Sequence, residues 1–195
     1  MATAVVSLPP SAYAADASGR WAMRLLIATE ASFFAYLLFS YFYLGSMAVA
    51  WPPGGPPSLT IAGPDTVILL LSSVTLWWAE RSIERGSQGQ LRSGLLITFV
   101  LGAIFIGLQA LEWSHKSFTP RTNAYGSLYF IVTGFHGAHV VAGLLMNAVV
   151  QVWAWRGFLS AERHGLLSNA ALYWHFVDVV WIAVFTALYL LPRFG

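Results

Sequence analysis

Residues 126–155 read GSLYFIVTGFHGAHVVAGLLMNAVVQVWAW, a run without one Asp, Glu, Lys or Arg. About 20 mainly apolar residues, at 1.5 Å rise each, suffice for a helix to cross a bilayer. The stretch is therefore read as a membrane span. At its centre, Thr133-Gly134-Phe135-His136-Gly137-Ala138-His139 places two histidines near the bilayer midplane. Ionisable groups are costly at that depth, so each one raises a question of function.

Outward from this run the pattern repeats. Spans are expected at about 21–47, 65–85, 91–114, 126–156 and 169–191. Between the first two lies Trp51-Pro52-Pro53-Gly54-Gly55-Pro56-Pro57, a density of Pro and Gly that no helix survives. Pro192 ends the fifth span. No internal repeat stands out. The expected fold is all-α, a polytopic bundle of five transmembrane helices over residues 20–195, preceded by a tail at 1–19. That tail contains Ala12-Tyr13-Ala14 but no Lys or Arg. It is read as a disordered or surface-lying segment, since a cleaved signal needs a basic start and a longer apolar core. Small residues in the third and fourth spans, among them Gly102 and Gly143, allow the close backbone approach that membrane helices use to pack.

The totals agree. Hydrophobic residues make up 57% of the 195 and charged residues 9%, against about 25% charged in soluble domains. Mean hydropathy is +0.66. Nine Trp and eight Tyr suit the aromatic belts at membrane interfaces. The net charge of +2 is too thin to indicate a nucleic-acid partner. The absence of cysteine excludes disulfides and thiolate ligation of metals or clusters.

Charge asymmetry sets the sidedness. With five crossings, Arg20, Arg24, Arg81, Arg85, Arg92, Arg156 and Arg163 share one side, and only Lys116, Arg121 and Arg193 the other. The amino terminus is expected in the cytoplasm, and the carboxyl terminus and the Pro-rich loop outside.

The polar residues at depth are the candidates for function. Glu30 and Asp178 lie at similar depth in helices running the same way, and each is expected to find a partner or take up a proton. The sharp reading of either acid is a proton-holding carboxyl; the blander is a neutral carboxyl bonded to another helix. His175 and Asp178, three apart, share a helix face and can touch. The same arrangement also orients metal-ligating histidines, but a self-satisfying pair is preferred. For His136 and His139 the sharp reading is metal or haem ligation. Hydrogen bonding between helices is the alternative, worth about 0.6–2 kcal/mol per bond. Glu112 closes the third span, and Gln109, three residues earlier, forms a polar patch with it at the rim.

Four motifs in order carry a resemblance. These are Thr29-Glu30-Ala31-Ser32-Phe33-Phe34, Leu108-Gln109-Ala110-Leu111-Glu112-Trp113, the Thr133–Val140 stretch led by Tyr125-Gly126-Ser127, and Tyr173-Trp174-His175-Phe176-Val177-Asp178-Val179-Val180-Trp181. Together they resemble subunit III of cytochrome c oxidase and its haem-copper oxidase relatives, in a short five-helix form, from about Arg20 onward. The resemblance implies a non-catalytic core subunit of a proton-pumping terminal oxidase that braces subunit I and supports proton uptake and stability through turnover. It implies no catalytic residue, cofactor or metal in this chain, with haems and copper in partner subunits I and II. The carbodiimide-reactive glutamate of the family falls on Glu30, and His136, His139, His175, Asp178 and Glu112 become structural, hydrogen-bonding residues. Subunits I and II, a small subunit IV and phospholipid are the implied partners, in a bacterial cytoplasmic membrane. Quinol-oxidase subunit III and a nitric oxide reductase accessory subunit are the alternatives in the same mould. A haem-carrying electron-transfer subunit and a proton-coupled transporter using Glu30 and Asp178 are alternatives outside it.

Overall fold

The computed structural model describes residues 10–194, with side chains from residue 18. Five helices follow in order: α1 (Pro10–Ser46), α2 (Leu59–Glu84), α3 (Gln88–Ser114), α4 (Ala124–Trp155) and α5 (Gly165–Phe185). A π-helical turn, Thr186–Leu190, and a 3-10 turn, Leu191–Arg193, carry α5 onward. All five helices are long and apolar enough to cross a membrane. The chain is an all-helical polytopic membrane protein.

Several helices begin earlier than their apolar runs. α1 starts at Pro10, inside the segment expected to be a tail, while residues 1–9 lie outside the described residues. Proline suits the first helical turn, and the Ala-rich residues after it favour helix. α2 starts six residues before Asp65 because Ser58 caps it, its hydroxyl accepting from the Thr60 N–H at 3.2 Å. The helix then runs through Pro64, where it forgoes one backbone hydrogen bond. α4 is capped likewise, by Asn123 accepting from the Gly126 N–H at 2.8 Å. At the other end, Pro192 sits within the last turn instead of stopping α5 before it.

α2 and α3 form a tight antiparallel hairpin, α5 packs against α1, α2 and α4, and α1 lies along α4 and α5. The most apolar window of α5 is 50% buried and that of α1 only 17%, which makes α5 the axis of the bundle and α1 its flank. Trp174 of α5 reaches between α3 and α4. A Cβ on Gly102 would lie 2.6 Å from its ring, and one on Gly143 2.7 Å. Glycine at both positions therefore makes the slot that the indole fills.

Candidate functional site

The Trp174–Trp181 segment of α5 turns its polar groups toward α2, and α2 answers with hydroxyls. The Trp174 indole N–H donates to Ser72 Oγ at 2.9 Å, and that of Trp181 to Thr66 Oγ1 at 2.9 Å. Ser72 and Thr66 in turn donate to carbonyls of their own helix, Leu69 and Ala62. Ser73 stands between His175 and Asp178. Its hydroxyl donates to Asp178 Oδ2, and His175 Nδ1 lies 2.8 Å from Ser73 Oγ. A hydroxyl has one proton to give, so the imidazole donates and the chain runs His175 to Ser73 to Asp178. The expected pairing of His175 with Asp178 is thus relayed through a serine on a neighbouring helix.

His136 behaves differently from the expectation of an interhelical hydrogen bond. It is fully buried, and neither ring nitrogen meets a hydrogen-bond partner among the described residues. The ring stacks on Trp181, with centroids 4.7 Å apart, and meets Phe105 edge-on at 5.7 Å. Aromatic packing holds it.

Glu30 and His139 join α1 to α4 through Oε2 and Nε2 at 3.0 Å. The other ring nitrogen of His139, Nδ1, lies 2.7 Å from the Phe135 carbonyl. A carbonyl only accepts, so Nδ1 carries a hydrogen and the bond to Glu30 has two descriptions. Either a protonated Glu30 donates to a neutral ring, or an imidazolium donates to a carboxylate. In both, the pair holds one proton between its two oxygen and nitrogen atoms and has no net charge. Phe33, Phe34 and Phe135 flank it, Phe34 lying 5.0 Å from the His139 ring. Glu30 is nonetheless 31% exposed on the flank of the bundle.

Glu112 lies in the interior, not at a rim. Its Oε1 accepts from Lys116 Nζ at 2.6 Å, Tyr189 at 2.9 Å and Tyr129 at 3.2 Å, with the two phenolic oxygens 2.6 Å apart. The Lys116 ammonium also sits 4.9 Å above the centre of the Tyr129 ring, a favourable cation–π placement. Beside this knot a cavity of about 490 Å³ opens under the Pro-rich loop, lined by Pro56, Thr60, Glu112, Lys116 and Tyr125 among others. Among the described residues, no three of His, Asp and Glu gather as a metal-holding group.

Sequence reasoning missed Thr66, Ser72, Ser73, Tyr129, Tyr189 and Asp65. The only trace of the first three is their placement: Thr66 and Ser73 are seven apart, on one face of α2.

The sequence profile of the family described as cytochrome c oxidase subunit III matches residues 12–192. The chain is 35% identical over 175 residues to cytochrome c oxidase subunit 3 of Thermostichus vulcanus, covering 88% of this chain and 87% of that one. It is 36% identical over 180 residues to the subunit 3 of Lumbricus terrestris, covering 87% and 69%. With the protein of Drosophila melanogaster it shares 36% over 185 residues, covering 91% and 71%.

Proposed function

The chain belongs to the cytochrome c oxidase subunit III family, and on that premise we propose that it is a non-catalytic core subunit of a proton-pumping haem-copper terminal oxidase. In this reading it braces subunit I, supports proton uptake and prolongs the working life of the enzyme. Haems and copper belong to subunits I and II, a small fourth subunit and phospholipid complete the surroundings, and the assembly sits in a bacterial cytoplasmic membrane. The amino terminus faces the cytoplasm.

The observation that carries the proposal is a family match running through all five helices. The geometry of the imidazoles supports it. His139 is held by Glu30 and Phe135, His175 by Ser73, and His136 by Trp181 and Phe105. Each ring already has an occupation as a contact between helices. Glu30 is the exception in placement, since its proton-sharing pair lies on the flank of the bundle within reach of a neighbour.

Purification of the tagged chain in mild detergent tests the proposal. Subunits I and II should accompany it, and a Soret band should follow them and leave this chain colourless when the complex is dissociated. Haem retained stoichiometrically by the isolated chain would overturn the assignment. Sidedness is open to a separate check, because the chain has no cysteine of its own. A membrane-impermeant maleimide should label Ser117→Cys in intact cells, and Ser87→Cys only after permeabilisation.

A further inference from the structure

At the end of the bundle that carries the Pro-rich loop, three buried side chains present polar atoms to nothing. Asp65 is fully buried, and neither of its carboxylate oxygens meets a donor among the described residues. Gln109 is 2% exposed, with both amide atoms unpartnered. Glu112 concentrates its three donors on Oε1 and leaves Oε2 with none. Native proteins leave few buried polar groups unpaired, and each asks for an explanation.

The helix register brings the three together. α2 and α3 run antiparallel, with the hydroxyls of Thr75 and Thr98 2.7 Å apart and Ala79 directly against Gly94. Four residues back along α2 thus correspond to four forward along α3. Continued upward, this puts Asp65 level with Leu108 and Gln109, one turn from Glu112. Asp65 also lies within electrostatic reach of Glu112. Of the nearby cations, Lys116 is bound to Glu112, and Arg193 is turned to the carbonyls of Tyr189 and Pro57. With both carboxyls ionised, the Lys116 ammonium balances one of them and one negative charge is left in a low-dielectric interior.

We propose that Asp65, Gln109 and Glu112 form a binding site for one monovalent hard cation, of the sodium class, entered through the cavity beneath the Pro-rich loop. The donors are oxygens only, which selects hard cations. The charge balance selects a monovalent one, since a divalent ion would leave an excess positive charge in a medium that penalises it. A proton on Asp65 would neutralise the same charge but has one bond to give, so it could serve the Gln109 carbonyl or Glu112 Oε2 and not both. A cation engages both together with Asp65. Glu112 and Tyr125 line the cavity as well as the interior, which gives the ion its way in.

The test is thermal unfolding of the purified full chain in detergent, in sodium chloride against choline chloride at equal ionic strength. A ligand that binds the folded state alone raises the midpoint in a saturable way. Sodium should therefore raise the wild-type midpoint by several degrees, Asp65→Asn should lose that rise, and Gln109→Leu should move half-saturation to several-fold higher sodium. Gln109→Leu keeps the test alive if Asp65→Asn does not fold. Equal wild-type midpoints in the two salts would refute the site, as would a sodium effect that survives in both variants. A protonated-carboxyl infrared band that vanishes in Asp65→Asn and ignores sodium would assign the place to a proton and end the cation proposal.

Discussion

Two seams of this bundle each carry an acid and a histidine, and they are built on opposite plans. Between α2 and α5, Asp178 and His175 share Ser73, with Trp174 and Trp181 bonded to hydroxyls on either side. Between α1 and α4, Glu30 and His139 have one bond to each other and a partly exposed carboxyl. The first seam lies at the axis, where both indoles, His175 and Asp178 Oδ2 of α5 are met by hydroxyls of α2. The second lies on the flank, where an acid keeps its proton shared and its surroundings incomplete. Polar contacts at the axis are closed off inside the bundle, and the one on the flank leaves its carboxyl partly exposed.

The largest effect should come from the indole at the axis. Trp174→Ala empties the slot between Gly102 and Gly143 and removes the bond to Ser72. Truncation of a buried aromatic costs about 3–5 kcal/mol, which detergent-based unfolding of the chain would read directly. The reciprocal change, Gly143→Val, drives a side chain into the same ring and should cost about 1–3 kcal/mol by overpacking. A chain that tolerates both without loss would deny that the Trp174 slot holds α3, α4 and α5 together.

Ser73→Ala comes next. It strips half-buried His175 and buried Asp178 of their shared partner, and unpaired buried groups cost about 1–3 kcal/mol. Ser72→Ala removes a single indole bond and should cost about 1 kcal/mol. The difference between these two neighbouring serines sharpens the comparison, because it measures what the bridge adds beyond one ordinary bond. Equal losses would mean that Ser73 is no more than a local contact.

The five helices were legible because charged residues, 9% of the chain, scarcely interrupt its long apolar runs, and the Pro-rich loop punctuates them. The ends were not. Ser58 and Asn123 extend α2 and α4 by caps that lie outside the apolar pattern. That extension hid Asp65: read as the first residue of a span it looks solvated, but six residues inside the helix it is buried. The motif of α5 was visible, its partners were not. Ser32, Ser40 and Ser82 bond the carbonyls of their own helices, the usual habit of a hydroxyl in an apolar helix. Nothing in the residue type separates Ser73 from them; only the docking of α5 against α2 gives it a task. Glu30 and His139 were each singled out, but their pairing depends on how α1 lies against α4, a fact of packing rather than of spacing.

The smallest change in stability should accompany the most informative change in function. Glu30→Gln keeps a donor facing His139 Nε2, so the seam should lose less than the 0.6 kcal/mol typical of one interhelical bond in a membrane. What it removes is the proton that the pair shares. Glu30→Ala removes the bond as well, and should cost about that full amount. The oxidase carrying either variant should assemble with full haem content. If Glu30 acts only as a tie between α1 and α4, the Gln variant will turn over like the wild type and the Ala variant alone will inactivate early. If the shared proton matters, both variants will show a modest and equal loss of pumping efficiency or turnover lifetime, although only one has lost the contact. We expect the second pattern, because a carboxyl meant only as a tie has no reason to stand partly exposed on the flank of the bundle.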